Sequence, residues 1–372
     1  DGLCINSIHY NPSNSLMMAA GYGNSFGKTI EEDSTGVLAL WNIKNTSTPL
    51  QMLETPSPIY SVRFSSNSPN LLATGDGLGV LQVYDIRQQL KKPIISSNDL
   101  DDMRHLEGIL DINWISGKKS NEDNNESIVS ISSDGKLLEW NIRKTLEVSE
   151  LKQINQMPSS AMGGKDAGII NTQNFRYSGG YSFDFNKRDM NIYYIATEDG
   201  AIHKCSRSYK EQYLDSFLGH SGPVYKVQLN PYHSDLFLSC SADWTVRLWS
   251  SKDENSLMVF KSLELFDEVL DVKWNPKCST SFASACKDGR VEIWDIGVKT
   301  MDPIYTLSTD TRARTCLEFS NDNPVLSVGN QSGVLESYRL FGYEKNTLSD
   351  EEQKSNIDVV NTSTQKQQTD YS

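Results

Sequence analysis

Between Val224 and Trp249 the chain alternates apolar and polar side chains in two short runs, Val224 to Leu229 and Thr245 to Trp249, on either side of a mostly apolar run, Leu236 to Cys240. Asn230-Pro231 and Ala242-Asp243 stand between the runs, and a period of two interrupted by turn formers predicts three antiparallel strands. The last turn and strand make an eleven-residue window, SADWTVRLWSS (241–251), with six counterparts. These are DSTGVLALWNI (33–43), DGLGVLQVYDI (76–86), SSDGKLLEWNI (132–142), TEDGAIHKCSR (197–207), CKDGRVEIWDI (286–296) and NQSGVLESYRL (330–340). Their starts lie 43, 56, 65, 44, 45 and 44 residues apart, so the chain is one supersecondary unit repeated seven times with two enlarged spacings. Six windows carry Gly at the fourth position, where a tight turn is expected to need positive φ; Trp244 replaces it in the fifth.

Gly219-His220 precedes the Val224 strand and Asp243 stands six residues before Trp249; this combination resembles the WD40 repeat and implies one propeller blade per window. A sheet of this kind is covered on both faces only if the circle closes, so residues 1–340 are expected to form an all-β, seven-bladed WD40 β-propeller. The first strands of the blades are predicted at Ile5–Tyr10, Ile59–Phe64, Ile109–Trp114, Tyr181–Phe185, Val224–Leu229, Val269–Trp274 and Thr315–Phe319. His220, Ser239, Asp243 and Trp249 are expected to form a buried hydrogen-bonded quartet in blade five, and His105, Ser130, Asp134 and Trp140 its equivalent in blade three. Read as chemistry, His220, Ser239 and Asp243 have the residue types of a catalytic triad, but the repeat accounts for them as architecture. Blade six keeps Ser284, Asp288 and Trp294 with Leu265 in the histidine's place, and the other blades are expected to rely on apolar packing.

Three polar insertions, Asn24–Ser34, Ser116–Ser127 and Leu151–Gly180, are expected as surface loops, and residues 341–372 as a flexible polar C-terminal extension. Blade seven has no evident outer strand after Leu340. A start at Asp1, not Met, leads to the expectation of upstream sequence, and either that sequence or the segment just after Leu340 is expected to fill the gap.

The net charge of −13 excludes a phosphate-backbone binder, so nucleic acid is not an expected partner. No apolar run reaches the ~18 residues of a membrane span, so no membrane is expected either. Six scattered cysteines without Cys-x-x-Cys spacing read as reduced thiols, not as a metal site. Gly21–Thr29 has some of the glycines of a phosphate-binding loop, but Tyr22 occupies the position of its first glycine and no helix pattern follows. Neither cofactor nor metal is therefore expected, and the chain is read as a non-enzyme. The five histidines are read in turns and outer repeats.

The wording of residues 203–249, with GHSGPVY, NPYHSDLFLSCSADW and the tyrosine-rich lead before them, resembles the central blades of axonemal dynein intermediate chains. Gly21-Tyr22-Gly23, the 36–45 run, VSISSDGKLLEWNIRK (129–144) and IYYIATEDGAIHKC (192–205) extend the resemblance over nearly the whole chain; Leu229 departs from it, standing where the family usually has Trp. The TEDGAIHKC run and the IRK after Trp140 lean toward the intermediate chain of the two-headed inner arm, with an outer-arm chain as the nearest rival. The resemblance implies a non-catalytic subunit of a ciliary or flagellar axoneme, assembled in the cytoplasm. Its propeller docks on a dynein heavy-chain tail, with a second intermediate chain and dynein light chains as further partners, held mainly by an N-terminal region absent here. Tyr60, Tyr232 and Trp244, aromatic residues at predicted strand ends or turns, are the candidate partner contacts. A WD40 scaffold of a different intracellular complex and a propeller enzyme are the competing readings.

Overall fold

In the computed structural model the described residues are 2–25, 34–88, 90–99, 104–116, 126–142, 146–156, 177–261, 267–308, 312–341, 349 and 351–358. They form seven antiparallel sheets in chain order, six of four strands and one, the seventh, of three. The inner strands are Cys4–Tyr10, Ile59–Phe64, Ile109–Ser116, Gly180–Phe185, Val224–Leu229, Val269–Trp274 and Arg314–Phe319, within a residue or two of the sequence expectation. A seven-bladed propeller results.

Each blade is too thin to have a core of its own, and the apolar side chains collect at the seams between neighbours. One seam joins Leu236, Leu248 and Phe260 of blade five to Trp274, Phe282 and Trp294 of blade six. Others pair blade four with blade five through Phe217, Phe237 and Trp249, and blade seven with blade one through Cys316, Ile5 and Met18. The ring is thus closed by the same apolar packing that joins consecutive blades.

Polar side chains stitch the inner strands across these seams. Ser7 Oγ and His9 Nδ1 of blade one accept hydrogen bonds from the backbone N–H groups of Val62 and Phe64 in blade two, each at 3.2 Å. Asp184 accepts from Leu229 N–H and Asp271 from Leu317 N–H, both at 2.8 Å, and Gln228 accepts from Trp274 N–H at 2.6 Å. An inner strand has no sheet partner on the channel side, so these acceptors satisfy buried donors that would otherwise be orphaned. At closure, Thr315 Oγ1 donates to Ile5 O, and Tyr10 and Ser327 share a hydrogen bond of 2.6 Å.

Five of the six window glycines, Gly79, Gly135, Gly200, Gly289 and Gly333, have positive φ as expected, and Trp244 adopts the same conformation at φ 67°. Gly36 differs. It opens a strand outside the left-handed region, and its lack of a side chain is explained by Ser57 O, which would lie 2.3 Å from a Cβ there.

The insertions are shorter than expected. Leu151 and Ile154 belong to the outer edge of blade three and are buried against Phe183 and Tyr193, because an outer strand must fill the seam it overhangs. Ser116, Glu126 and Ser127 likewise extend two strands of blade three. The remainder of all three insertions lies largely outside the described residues.

Residues 351–358, expected within a flexible extension, form a helix seated beneath blades five and six. Ser349 caps it with Glu352: Ser349 N–H and Oγ–H donate to the Glu352 carboxylate at 2.9 and 3.1 Å. The buried Gln353 side chain accepts from Ser279 N–H and donates to Lys277 O, both at 2.9 Å, and Ile357 joins the blade five to six seam. Eight helical residues are too few to be stable alone, so docking makes this helix, and the polar composition that suggested flexibility conceals one well-placed apolar residue. Among the described residues blade seven keeps three strands, and a groove of about 280 Å³ beside its third strand is lined by Met18, Trp41, Ile43 and Leu335. The ordered helix lies elsewhere.

Two outcomes follow for stability. Ile357→Ala is expected to cost roughly 2 to 4 kcal/mol, the usual range for a large aliphatic residue truncated in a core, measured by denaturant unfolding; an unchanged midpoint would show that the helix contributes nothing to the ring. Gly329→Ala places a Cβ within 3 Å of Cys316 Sγ and the Ile5 side chain at the closing seam, so its thermal midpoint is expected to fall below that of the parent.

Candidate functional site

In every blade the inner strand slips register at its second or third residue. Pairing with the next strand passes from Ile5 to Ser7, Ile59 to Ser61, Ile109 to Asp111, Gly180 to Ser182, Val224 to Lys226, Val269 to Asp271 and Arg314 to Cys316. The residues passed over are Asn6, Tyr60, Leu110, Tyr181, Tyr225, Leu270 and Thr315. A bulge turns its extra side chain out of the alternation, and all seven face one cavity of about 290 Å³ at the mouth of the central channel. Tyr181 and Tyr225 meet edge to face there, with centroids 5.6 Å apart, and Tyr225 donates to Glu268 at 3.0 Å. Burial, then the Glu198 carboxylate, pushes the Tyr181 hydroxyl up to about 12.

Beneath the mouth the channel is charged. Asp111 is held by Lys226 at 2.7 Å and faces Arg63 at 3.8 Å, while Lys273 pairs with Glu318 at 2.8 Å. Burial opposes ionisation of Asp111, but Lys226 and Arg63 outweigh it and hold the carboxyl below its usual range. Burial dominates at Asp184 and Asp271, whose carboxyls are pushed up. His9, expected like every histidine in a turn or outer repeat, lies on the innermost strand of blade one at the far end of this channel. Desolvation holds it well below its ordinary pKa, which keeps Nδ1 available as an acceptor for Phe64 N–H. Among the described residues no cluster of three or more His, Cys, Asp or Glu side chains has the geometry to hold a metal ion.

The two quartets assemble as expected. Trp249 Nε1–H donates to Ser239 Oγ at 2.8 Å, Ser239 and His220 Nε2 are 2.7 Å apart, and His220 Nδ1 lies 2.8 Å from Asp243. In blade three Trp140 Nε1–H donates to Ser130 at 2.7 Å, His105 Nε2 is 2.8 Å from that oxygen, and His105 Nδ1 is 3.3 Å from Asp134. Ser239 and Ser130 are fully buried, and each oxygen already accepts from an indole, so neither faces a substrate. Blade six shows what the missing histidine costs: Trp294 Nε1 is buried without a partner among the described residues, and Asp288 turns to Arg290. Leu265 itself lies outside the described residues.

Of the three candidate contacts, Tyr60 and Trp244 are at the same end of the ring. Tyr60 lines the mouth, and Trp244, 45% exposed, stands on a turn following a strand whose last residue, Ser241, pairs with Val224 at the mouth end. Tyr232 is at the opposite end, where its hydroxyl donates to Pro276 O at 2.7 Å and packs blade five against blade six. Gly21, the described start of the phosphate-loop-like stretch, lies in a strand where a Cβ would meet Val62 and Ile59 at 2.6 and 2.7 Å, so seam packing requires it. The sequence expectations did not include the bulged ring as a site, although a partial sign was present: in five blades the bulged residue directly follows Ile or Val, at Ile5, Ile59, Ile109, Val224 and Val269.

Acid is expected to weaken blade five. Burial lowers the His220 pKa below 6.5, so the unfolded chain takes up a proton there first and stability falls as pH drops below that value. Burial alone would raise Asp243, but hydrogen bonds from His220 and Thr245 hold it at about 2, so its contribution is present above pH 3.8 and is lost as pH falls toward 2. Stability measured against pH should therefore decline below about 6.5, and His220→Asn should flatten the upper part of that decline. Ser239→Ala strips partners from both the indole and the imidazole and is expected to cost roughly 2 to 4 kcal/mol.

Residues 211–250 and 261–295 match the family described as WD domain, G-beta repeat. Dynein axonemal intermediate chain 4 of Mus musculus is 37% identical over 346 residues, covering 91% of this chain and 42% of that protein. Dynein intermediate chain 2, ciliary, of Heliocidaris crassispina is 30% identical over 342 residues, 91% of this chain and 47% of its own length. Dynein axonemal intermediate chain 1 of Bos taurus is 28% identical over 341 residues, with the same two coverages. The chain spans less than half the length of these relatives.

Proposed function

The chain is a WD40-repeat homologue of the axonemal dynein intermediate chains, and from that premise we propose that it is a non-catalytic intermediate-chain subunit working in the axoneme of a cilium or flagellum. In this reading the propeller docks on the tail of a dynein heavy chain and helps to assemble and anchor the motor. The observation that carries it is the extent of the similarity, which follows the ring through almost all of its blades, not only the two that match the repeat family. The physical rationale is that a ring closed by seven seams is already ordered before binding, so it can hold a partner without the entropic cost of fixing loops. Tyr60 and Trp244 are the proposed contact residues at the mouth end, and Tyr232 marks the opposite end.

Within that role, the two-headed inner arm is the proposed assembly, on the wording of residues 197–205 and of the Ile142-Arg143-Lys144 segment. A second intermediate chain and dynein light chains are proposed as further partners, held mainly by parts of the protein outside the 372 residues. The 341–372 stretch, with its docked helix, is proposed as an accessory to the ring.

The test is affinity isolation of the natural-length protein from detergent-extracted axonemes followed by mass spectrometry. A dynein heavy chain recovered in near-stoichiometric amount is the expected result. Its absence, with the propeller shown intact by circular dichroism, would overturn the reading.

A further inference from the structure

Several large apolar side chains are exposed at the mouth end of the ring. Leu78, Trp244 and Val334 on the turns of this end, Leu106 on the segment entering blade three and Tyr177 in an isolated bridge with Asn155 are 45–77% exposed. Their position follows from register: in each blade the start of the inner strand pairs with the end of the second, so the turns that leave the second strand rise beside the mouth. At the centre sits the bulged ring, with Tyr60, Tyr181 and Tyr225 around the cavity. Gly108 lies against the Tyr60 ring, where a Cβ would meet it at 2.8 Å, so the wall of the bowl is built closely.

The rim is acidic. Glu107, Glu198, Asp199, Asp267 and Glu268 stand on the connecting segments of this end with Asp76, Asp134, Asp243 and Asp288 on its tight turns, against Arg104, Lys261, Lys287, Arg290 and Arg312 among the described residues. Lys287 is held by Glu268 at 3.1 Å. Asp199 receives one long hydrogen bond, from Gln156 at 3.3 Å, and its Oδ2 is buried with no partner among the described residues. An apolar centre ringed by carboxylates is complementary to one kind of polypeptide surface: apolar on one side and cationic along its flanks.

We propose that the mouth end of the ring is a docking surface for a basic amphipathic segment of a partner polypeptide, its apolar side entering the tyrosine bowl and its Lys or Arg side chains reaching the acidic rim. This rests on the docking role given above and names the chemistry of the partner's contact. Aromatic side chains at the bowl supply contact area at low conformational cost, and the rim carboxylates steer the approach and fix its direction. The geometry is that of an amphipathic helix laid into an apolar depression.

The test titrates the 372-residue chain with two synthetic amphipathic helical peptides, identical except that one has lysines and the other glutamates along the polar face. Three ring variants accompany it: Tyr181→Ser, the rim reversal Glu198→Lys with Asp199→Lys, and the control reversal Asp253→Lys with Glu254→Lys at the other end. The lysine peptide is expected to bind the parent and the control, and to bind the rim reversal and Tyr181→Ser at least about ten-fold more weakly. The glutamate peptide is expected to bind only the rim reversal, a gain that misfolding cannot produce. Equal binding of both peptides, binding of neither, or equal weakening by the control reversal would each overturn the proposal, the last by showing only attraction to net charge. Heavy-chain recovery with natural-length Tyr181→Ser separates the two readings: recovery undiminished while the peptides fail would sink this surface and leave the docking role standing.

Discussion

Everything in this molecule depends on the seams. A four-stranded sheet of about two dozen residues has no interior, so each blade is stable only when its two faces are covered by its neighbours. The seam clusters achieve this with bulky side chains from the second and third strands and one or two knobs from the overhanging outer strand, such as Phe217 between blades four and five and Phe260 between five and six. The polar half of the same constraint falls on the inner strands, whose channel-side donors have no strand to pair with. Ser7, His9, Asp184, Gln228 and Asp271 each accept such a hydrogen bond from an N–H of the next blade, so cohesion and polar satisfaction come from the same contacts.

This arrangement explains the uneven quality of the repeats. Blades three and five keep a complete chain from indole to hydroxyl to imidazole to carboxylate, and their tryptophans are fully buried with every polar atom satisfied. Blade six has Leu265 at the histidine's place in the sequence, and its Trp294 indole has no partner among the described residues while Phe260 and Phe282 pack against its ring. Blade four has replaced the tryptophan by Cys205, and the adjacent His203 stacks on Tyr213 with centroids 4.0 Å apart, with burial holding the imidazole down to about 4. Seam packing tolerates such losses because the apolar term is spread over many residues and no single quartet closes the ring.

The link to function runs through rigidity and the bulge. At the channel mouth the residues displaced by the seven bulges vary from Asn6 to Tyr60 to Leu270 while the backbone repeats; Asn6 and Thr315 also tie neighbouring blades together, through Ile59 O and Ile5 O. Conserved geometry with varied side chains is what a scaffold needs to present a specific contact surface. In the charged channel beneath, Lys226 pairs with Asp111 and Lys273 with Glu318.

Much of the architecture was legible in the chain. Period-two alternation, turn residues and seven windows at similar spacing give strand positions, sheet count and closure, because those are set by local backbone preference and by a repeating unit that has to be covered. The quartets were readable for the same reason: their residue types sit at fixed offsets within one repeat. What the chain alone did not reveal is whatever joins distant segments. Gln353 and Ile357 look like two residues of a polar tail until Ser279 and the blade five to six seam receive them, and His9 reads as one more turn or outer-repeat histidine until Phe64 N–H needs an acceptor. The bulged ring is of this kind too, since Tyr60, Tyr181 and Tyr225 are more than forty positions apart and become one cavity only when seven sheets share an axis. Local pattern fixes the unit and its count; the site is a property of closure, which brings one residue from each unit to the same place.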